Sequence, residues 1–296
     1  MSAPPQLPDR AAVRRSFDRA AMTYDAAAAL QREIADRLLE RLDYIRLEPK
    51  RVLDLGSGTG YATAPLRQRY ADAHLLSLDL APAMLAHARA ATQPSWFKQL
   101  LAPARMSWLC ADGEALPIAE ASVDLVFSNL ALQWCDPLRI FAEAARVLRP
   151  GGLLLFSTFG PDTLKELRAA FAAVDGAPHV NQFIDMHDLG DQMVRARLGD
   201  PVMDMEHLTV TYAELAPLLR ELKAIGAHNV LPGRERGLMG KTRWAKLGSA
   251  YEQFRKEGRL PATYEVVYGH AWKPALPAAK PGDGRQIIHF DYKSKA

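Results

Sequence analysis

Apolar positions recur along this chain at two different periods. Near the start, Val13, Phe17, Ala21 and Tyr24 fall every three or four residues, the spacing of one helical face. Leu30, Ile34, Leu38 and Leu42 repeat every four residues and predict a second helix lying over the core. From residue 52 the pattern changes. Residues 52–55, 75–80, 106–111, 123–129 and 153–158 are short, largely aliphatic runs that predict buried parallel strands. Helix-compatible stretches alternate with them: residues 61–70, a helix opened by Pro82 and Ala83, and one marked by Leu138, Phe141, Ala145 and Leu148. Arg149-Pro150-Gly151-Gly152 is a helix stop, and residues 93–105 read as a loop. Such alternation predicts an α/β fold with a doubly wound, mostly parallel sheet.

After residue 160 a helix is marked by Leu164, Leu167, Phe171 and Val174, followed by a polar, aromatic stretch over 176–187. Residues 202–212 and 263–272 predict strands six and seven. Two helical patterns lie between them, one with Leu215, Leu218, Leu219, Leu222 and Ile225, the other with Trp244, Leu247, Tyr251 and Phe254. That connection far exceeds a hairpin loop, so residues 213–260 are expected to form an inserted helical lid. The expected organisation is a single domain over 1–273, with cap helices in 1–48 and a flexible tail over 274–296. Residues 1–10 read as a disordered leader.

Chemistry gathers at the carboxyl ends of the strands. The first strand runs through Asp54 and Leu55 into Gly56-Ser57-Gly58-Thr59-Gly60. Glycine lets a ligand rest directly on such a turn. The spacing is not that of a dinucleotide fingerprint and no G-K-[ST] follows, which disfavours phosphate cradling. Taken alone, the turn is weak evidence, and a tight strand-to-helix connection with no ligand is the alternative. Asp79 ends the second strand 25 residues after Asp54, where an acid accepts both hydroxyls of a ribose. Asp112 follows the third strand. These three strand ends together resemble the class I S-adenosylmethionine-dependent methyltransferases. The resemblance implies S-adenosyl-L-methionine as cofactor, with its methionine end on the glycine turn, its ribose on Asp79 and its adenine amine on Asp112. The residues implied for that site are Tyr24, Gln31, Asp54, Gly56, Ser57, Gly58, Asp79, Leu80, Met84, Asp112, Gly113 and Asn129. For Tyr24 and Met84 plain core packing is an equal alternative.

Composition narrows the partners. The chain has 296 residues, 49% hydrophobic and 24% charged, ordinary for a globular protein. A net charge of +3 is too small to point to nucleic acid. No apolar run reaches membrane-spanning length. Cys110 and Cys135 form no C-x-x-C pair, which fits a reducing compartment, and a cytoplasmic location is expected. His74, His87 and His289 show no metal-ligand spacing, and no metal is expected.

More discriminating stretches are Ser16-Phe17 with Ala20-Ala21 and Tyr24; Leu30-Gln31-Arg32; Ser128-Asn129-Leu130-Ala131 with Gln133-Trp134-Cys135; Pro178-His179 with Asn181 and Phe183; and Leu222-Lys223-Ala224-Ile225-Gly226-Ala227. They resemble the malonyl-acyl carrier protein O-methyltransferases of biotin synthesis, and the likeness extends to about Trp272. It departs in the turn, where Ser57 and Thr59 stand for Cys and Pro of some relatives, and in the longer tail. The resemblance implies methyl transfer to the free carboxylate of malonyl-acyl carrier protein, giving the ester that primes the pimeloyl moiety. It leaves Tyr24, Trp134, His179 and Asn181 as positioning candidates and implies no certain catalytic residue. Lys223, Arg234, Arg236 and Lys246 are the candidates for meeting the acidic carrier. Between Gly233 and Leu260 eight basic residues face three acidic ones, either a steering patch or a solvated surface. The end of the match, from Ala262 to Lys273, is also similar to a mitochondrial complex I assembly factor described as an arginine hydroxylase, the alternative reading.

Overall fold

The computed structural model of the protein describes residues 7–92, 105–227, 229–230 and 239–275. Its strands are β1 (Arg51–Leu55), β2 (His74–Asp79), β3 (Met106–Cys110), β4 (Val123–Asn129), β5 (Leu148–Phe159), β6 (Gly199–Tyr212) and β7 (Leu260–Trp272). They form one seven-stranded sheet in the order β3-β2-β1-β4-β5-β7-β6. The first five are parallel, and β7 runs antiparallel to both β5 and β6. Strand order reverses between β1 and β4, and a ligand crevice is expected just beyond their carboxyl ends.

Side chains alternate across the sheet and build a core on each face. Val52, Leu125 and Leu155 pack with Ile34 and Leu38 of helix α3 (Ala29–Arg41). Leu53, Val126 and Leu154 point the other way, toward Phe141 of the helix Pro137–Val147. Both α3 residues are completely buried, which is why their four-residue repeat was so plain.

The N-terminal stripe does not form one helix. Helix α1 (Arg10–Ala20) is capped by Asp9, whose carboxylate accepts the Ala11 and Ala12 N–H groups. A turn follows, and Tyr24 opens the short helix α2 (Tyr24–Ala27). The Thr23 hydroxyl binds both the Ala20 and Ala224 carbonyls and so fixes this break. The helix therefore starts inside the expected leader, of which residues 1–6 lie outside the described ones, as do residues 93–104 of the expected loop.

Numbering the remaining helices in chain order gives α4 (Thr63–Arg69), α5 (Pro82–Thr92), α6 (Pro137–Val147), α7 (Lys165–Ala172), α8 (Met186–Arg195), α9 (Leu215–Ala224) and α10 (Lys241–Glu252). Helix α8 has no counterpart in the pattern. Only Leu189 and Met193 are buried on it, and its clearest local signal is the Asp185 cap on the His187 N–H. Strand β5 reaches back to Leu148, earlier than the apolar run and directly after the helix that ends at Val147; the helix stops where expected, and the β4–β5 register shifts across Arg149 to Gly152, where Gly151 is left-handed (φ +80°). Both α9 and α10 come between β6 and β7 in the chain. No helix among the described residues is long and apolar enough to cross a membrane.

The end of α9 is joined to α1. The Ser16 hydroxyl donates to the Gly226 carbonyl at 3.0 Å. Gly226 has φ +74°, and a Cβ there would come within 3.2 Å of the Ala20 Cβ and 3.3 Å of Phe17. Gly226→Ala is expected to reduce stability by about 1–3 kcal/mol through the left-handed backbone alone, with further loss from the crowded α1 contact. Chemical denaturation of the variant beside the wild type measures this.

Candidate functional site

Two adjoining cavities lie at the carboxyl ends of the strands. The first sits at the reversal of strand order, between β1, β2 and β4. Its floor and sides include Gly56, Gly58, Asp79, Leu80, Met84, Gly113 and Asn129. Arg10, Val13 and Phe17 of α1 and Tyr24 of α2 also line it. About 90 Å³ is open inside, so a nucleoside-sized ligand requires these cap side chains to shift.

The glycine turn is shaped for two different reasons. At Gly56 (φ +73°) a Cβ would collide with the Ala131 Cβ at 2.3 Å, so packing demands glycine. Gly58 (φ +55°) faces open space, with nothing within 4 Å of where its Cβ would be. Its N–H donates to Asp79 Oδ2 at 2.9 Å, and the Ala81 N–H donates to Oδ1 at 2.8 Å. Burial raises the Asp79 pKa above the ordinary carboxylate range, although both N–H groups pull it down.

Four residues expected at the cofactor do not line this cavity. Asp54 lies beneath the turn, where its carboxylate accepts the Thr63 hydroxyl at 2.6 Å. Ser57 accepts the Ser77 hydroxyl at 2.8 Å. Asp112 is taken by Arg10, which also donates to the Trp134 carbonyl at 2.9 Å. Gln31 lines the second cavity instead. Asn129 joins the two regions, donating to the Gln31 carbonyl at 3.2 Å while its side-chain oxygen accepts the Ser157 hydroxyl at 2.7 Å. Burial lifts the Cys135 thiol to about 12 despite Arg10, so it stays protonated beside this cavity.

The second cavity holds about 690 Å³. Phe17, Tyr24, Leu130 and Trp134 line both cavities and so form the partition between them. Phe17 meets Trp134 edge-to-face, with ring centres 5.3 Å apart. Leu130 reaches the partition from a left-handed backbone (φ +51°) whose N–H is held by Ser157. Burial, with Asp79 and Asp25 nearby, raises the Tyr24 pKa, so its phenol remains a neutral donor. The wider walls are mostly apolar, and among the described residues no Asp or Glu lines them.

Of the positioning candidates, Tyr24, Trp134, His179 and Asn181 all line this second cavity, as does Lys223. Asn181 Oδ1 and Gln31 Oε1 are buried there without a hydrogen-bond partner. His179 stacks on Phe171 at 4.0 Å and bonds Asp175 at 2.8 Å, so its ring already anchors its own loop. Burial would raise the Asp175 pKa, but bonds from His179, the Ala177 N–H and Arg243 bring it to about 2.

The carrier candidates separate. Arg234 and Arg236 lie outside the described residues. Lys246 is exposed on α10 and lines neither cavity. Part of the expected basic excess is neutralised internally, with Arg243 on Asp175 and Arg255 on Glu252. Arg19, Gln133 and Tyr264, not singled out as site residues in the sequence, line the second cavity. Arg19 stands on the polar side of the α1 stripe, where periodicity carries no signal for a binding role.

The methyltransferase domain family matches residues 53–156, which span β1 to β5. The chain is 57% identical to a malonyl-acyl carrier protein O-methyltransferase of Laribacter hongkongensis, over 95% of this chain and 96% of that relative. It is 54% identical to one from Gallionella capsiferriformans, over 97% and 98% respectively. Among solved structures, the YcgJ protein of Bacillus subtilis is similar in fold, with TM-score 0.55 and 15% identity over 82% of this chain and 98% of that one. So is phosphoethanolamine N-methyltransferase 2 of Haemonchus contortus, a complex with S-adenosylhomocysteine, with TM-score 0.53 and 16% identity over 88% and 60%.

Burial lifts the Asp54 pKa to about 7, against the Thr63 bond, and the nearby Asp79 adds to the rise. A raised folded pKa means the folded state holds the extra proton. That stabilisation is full below the unfolded value near ~4 and is lost as pH rises through about 7. Asp54→Asn keeps an acceptor for Thr63 and cannot ionise. Its stability relative to wild type is therefore expected to increase from pH 5 to pH 8.5, by at most about 3 kcal/mol. Urea denaturation at both pH values measures the change.

Proposed function

The chain belongs to the malonyl-acyl carrier protein O-methyltransferase family, and from that premise we propose that it methylates the free carboxylate of a malonyl thioester carried on acyl carrier protein, using S-adenosyl-L-methionine. The observation that carries this reading is the pair of cavities sharing one partition, a nucleoside-type site on one side and, on the other, a chamber that no Asp or Glu lines among the described residues.

The residues present fit the cofactor. The Gly58 backbone faces open space, and Asp79 offers a carboxylate already oriented by two N–H groups. On this reading Gly56 and Gly58 hold the methionine end, Asp79 the ribose, and Leu80 and Met84 the base. Asp112 and Gly113 close the adenine side, with Arg10 sharing the Asp112 carboxylate. When bound, the cofactor supplies an electrophilic methyl on a sulfonium and departs as a neutral thioether.

The chain's own residues place the acceptor. A malonyl carboxylate has an ordinary pKa near ~4 and is ionised at neutral pH, so no general base is needed. The bound cofactor would supply its methyl to one carboxylate oxygen, neutralising the anion and the sulfonium together. Among the described residues no acid lines the chamber, which spares the anion from repulsion. Tyr24 and Trp134 hold the carboxylate at the partition, and Gln31 and Asn181 grip the acyl arm with their buried amides. Alignment of this kind is worth up to roughly 7–11 kcal/mol in favourable cases. His179 acts through its loop and not on the reacting atoms.

Residues 213–260 act as the lid in this reading, with Lys223, Arg234, Arg236 and Lys246 meeting the acidic carrier. A cytoplasmic location and a place in biotin synthesis follow from the family resemblance and the two unpaired cysteines.

Labelled S-adenosylmethionine is expected to yield one base-labile methyl ester on malonyl carrier protein and none on acetyl carrier protein. Equal labelling of both, or methyl on nitrogen, would contradict the assignment. Asp79→Ala removes a charged hydrogen-bonding partner and is expected to weaken cofactor binding by roughly ten- to a hundredfold. Calorimetric titration of the folded variant measures that loss.

A further inference from the structure

The second cavity is much larger than a malonyl group requires. Its 690 Å³ falls in the range that encloses a whole drug-sized ligand. The reacting carboxylate belongs at the partition with the cofactor cavity, so the remaining length must hold what trails behind it.

Two cations line that chamber. Arg19, in the last turn of α1, and Lys223, in the last turn of α9, both line the cavity and are both exposed. Neither has an ion-pair partner among the described residues. The helix ends that carry them are stitched together: Ser16 donates to the Gly226 carbonyl at 3.0 Å and Thr23 to the Ala224 carbonyl at 2.8 Å. Separate elements thus bring the two charges to one cavity. Basic residues also suit helix C-termini for electrostatic reasons of their own. That placement alone would not explain why both line a chamber with no acid among the described residues of its walls. A second feature points to a ligand: Asn181, only 8% exposed, and Gln31 present buried side-chain oxygens with no partner among the described residues. Such orphans are costly unless a bound molecule supplies a donor.

We propose that Arg19 and Lys223 form the binding site for the phosphate of a pantetheine arm, the flexible thioester carrier whose amide N–H groups pass Asn181 and Gln31 on the way to the partition. The assignment rests on the malonyl thioester reading and adds the charged end of the substrate to it. The chamber walls offer a partner for each part of the arm: the partition for the carboxylate, the buried oxygens for the amides and the exposed cations for the phosphate. A phosphate monoester or diester suits this pair because a guanidinium and an ammonium together offer both a planar fork and a point charge.

Calorimetric titration of the full-length protein with phosphopantetheine and with pantetheine tests the site without relying on methyl transfer. Phosphopantetheine is expected to bind roughly five- to tenfold tighter at low salt, as two partly exposed ion pairs allow. The advantage should shrink as salt is added. In Arg19→Gln/Lys223→Gln, with an unchanged thermal midpoint, it should vanish while pantetheine binds as before. Equal affinity of the wild type for both ligands, or an advantage that survives in the double variant, overturns the proposal. Coenzyme A and carrier protein both present such a phosphate. A rise in KM for malonyl carrier protein in the double variant assigns the site to the carrier, and a rise confined to malonyl-coenzyme A assigns it to the free thioester. Failure of the wild type to methylate either malonyl thioester would count against the functional reading, while the phosphopantetheine preference judges the phosphate site separately.

Discussion

A carboxylate and a sulfonium methyl lose their mutual reactivity when water lies between them, because each is stabilised by hydration. The arrangement here depends on one aromatic and aliphatic partition, Phe17, Tyr24, Leu130 and Trp134, that belongs to both cavities. None of the four sits in the sheet. Phe17 and Tyr24 come from the N-terminal cap, and Leu130 and Trp134 from the turn after β4. The partition therefore depends on the cap being held down. Arg10 does so at one end of α1, through Asp112 and the Trp134 carbonyl, and the Ser16–Gly226 bond does so at the other. The same few contacts thus border both cavities.

The titratable groups around the partition are consistent with alignment and desolvation as the source of rate. Tyr24 is kept protonated by burial and neighbouring carboxylates, and Cys135 by burial. His179 is committed to Asp175 and Phe171. An anionic nucleophile needs none of them as a base. What it does need is a chamber without competing negative charge, and the described residues that line the second cavity include no acid.

Much of the fold was legible because the sheet centre is buried on both faces. Continuous aliphatic runs such as Val52 to Leu55 have no other plausible use, and their alternation with helical stripes fixes the parallel order. The weaker readings came where burial is partial. Helix α8 rests on two buried side chains, Leu189 and Met193, and edge strand β6 alternates exposed and half-buried positions without an apolar run. At the site, Gly56, Gly58 and Asp79 were visible from the end of each strand. The diversion of Asp112 to Arg10 was not, because that contact joins residues 102 apart. Gln31 lines the second cavity for a similar reason: α3 crosses above the sheet at a position that only packing determines. That Arg19 also lines it was not legible, because an exposed basic residue on a helix carries no pattern of its own.

The central claim is that methyl transfer here proceeds by placing an existing anion against the methyl, with no proton in flight. Single-turnover methyl transfer to malonyl carrier protein, with the protein preloaded with cofactor, can be timed in light and heavy water at matched pD. The account predicts equal rates in the two solvents. A clear slowing in heavy water, traced by a proton inventory to one transferred proton, would contradict it and require a general base among residues assigned here to positioning.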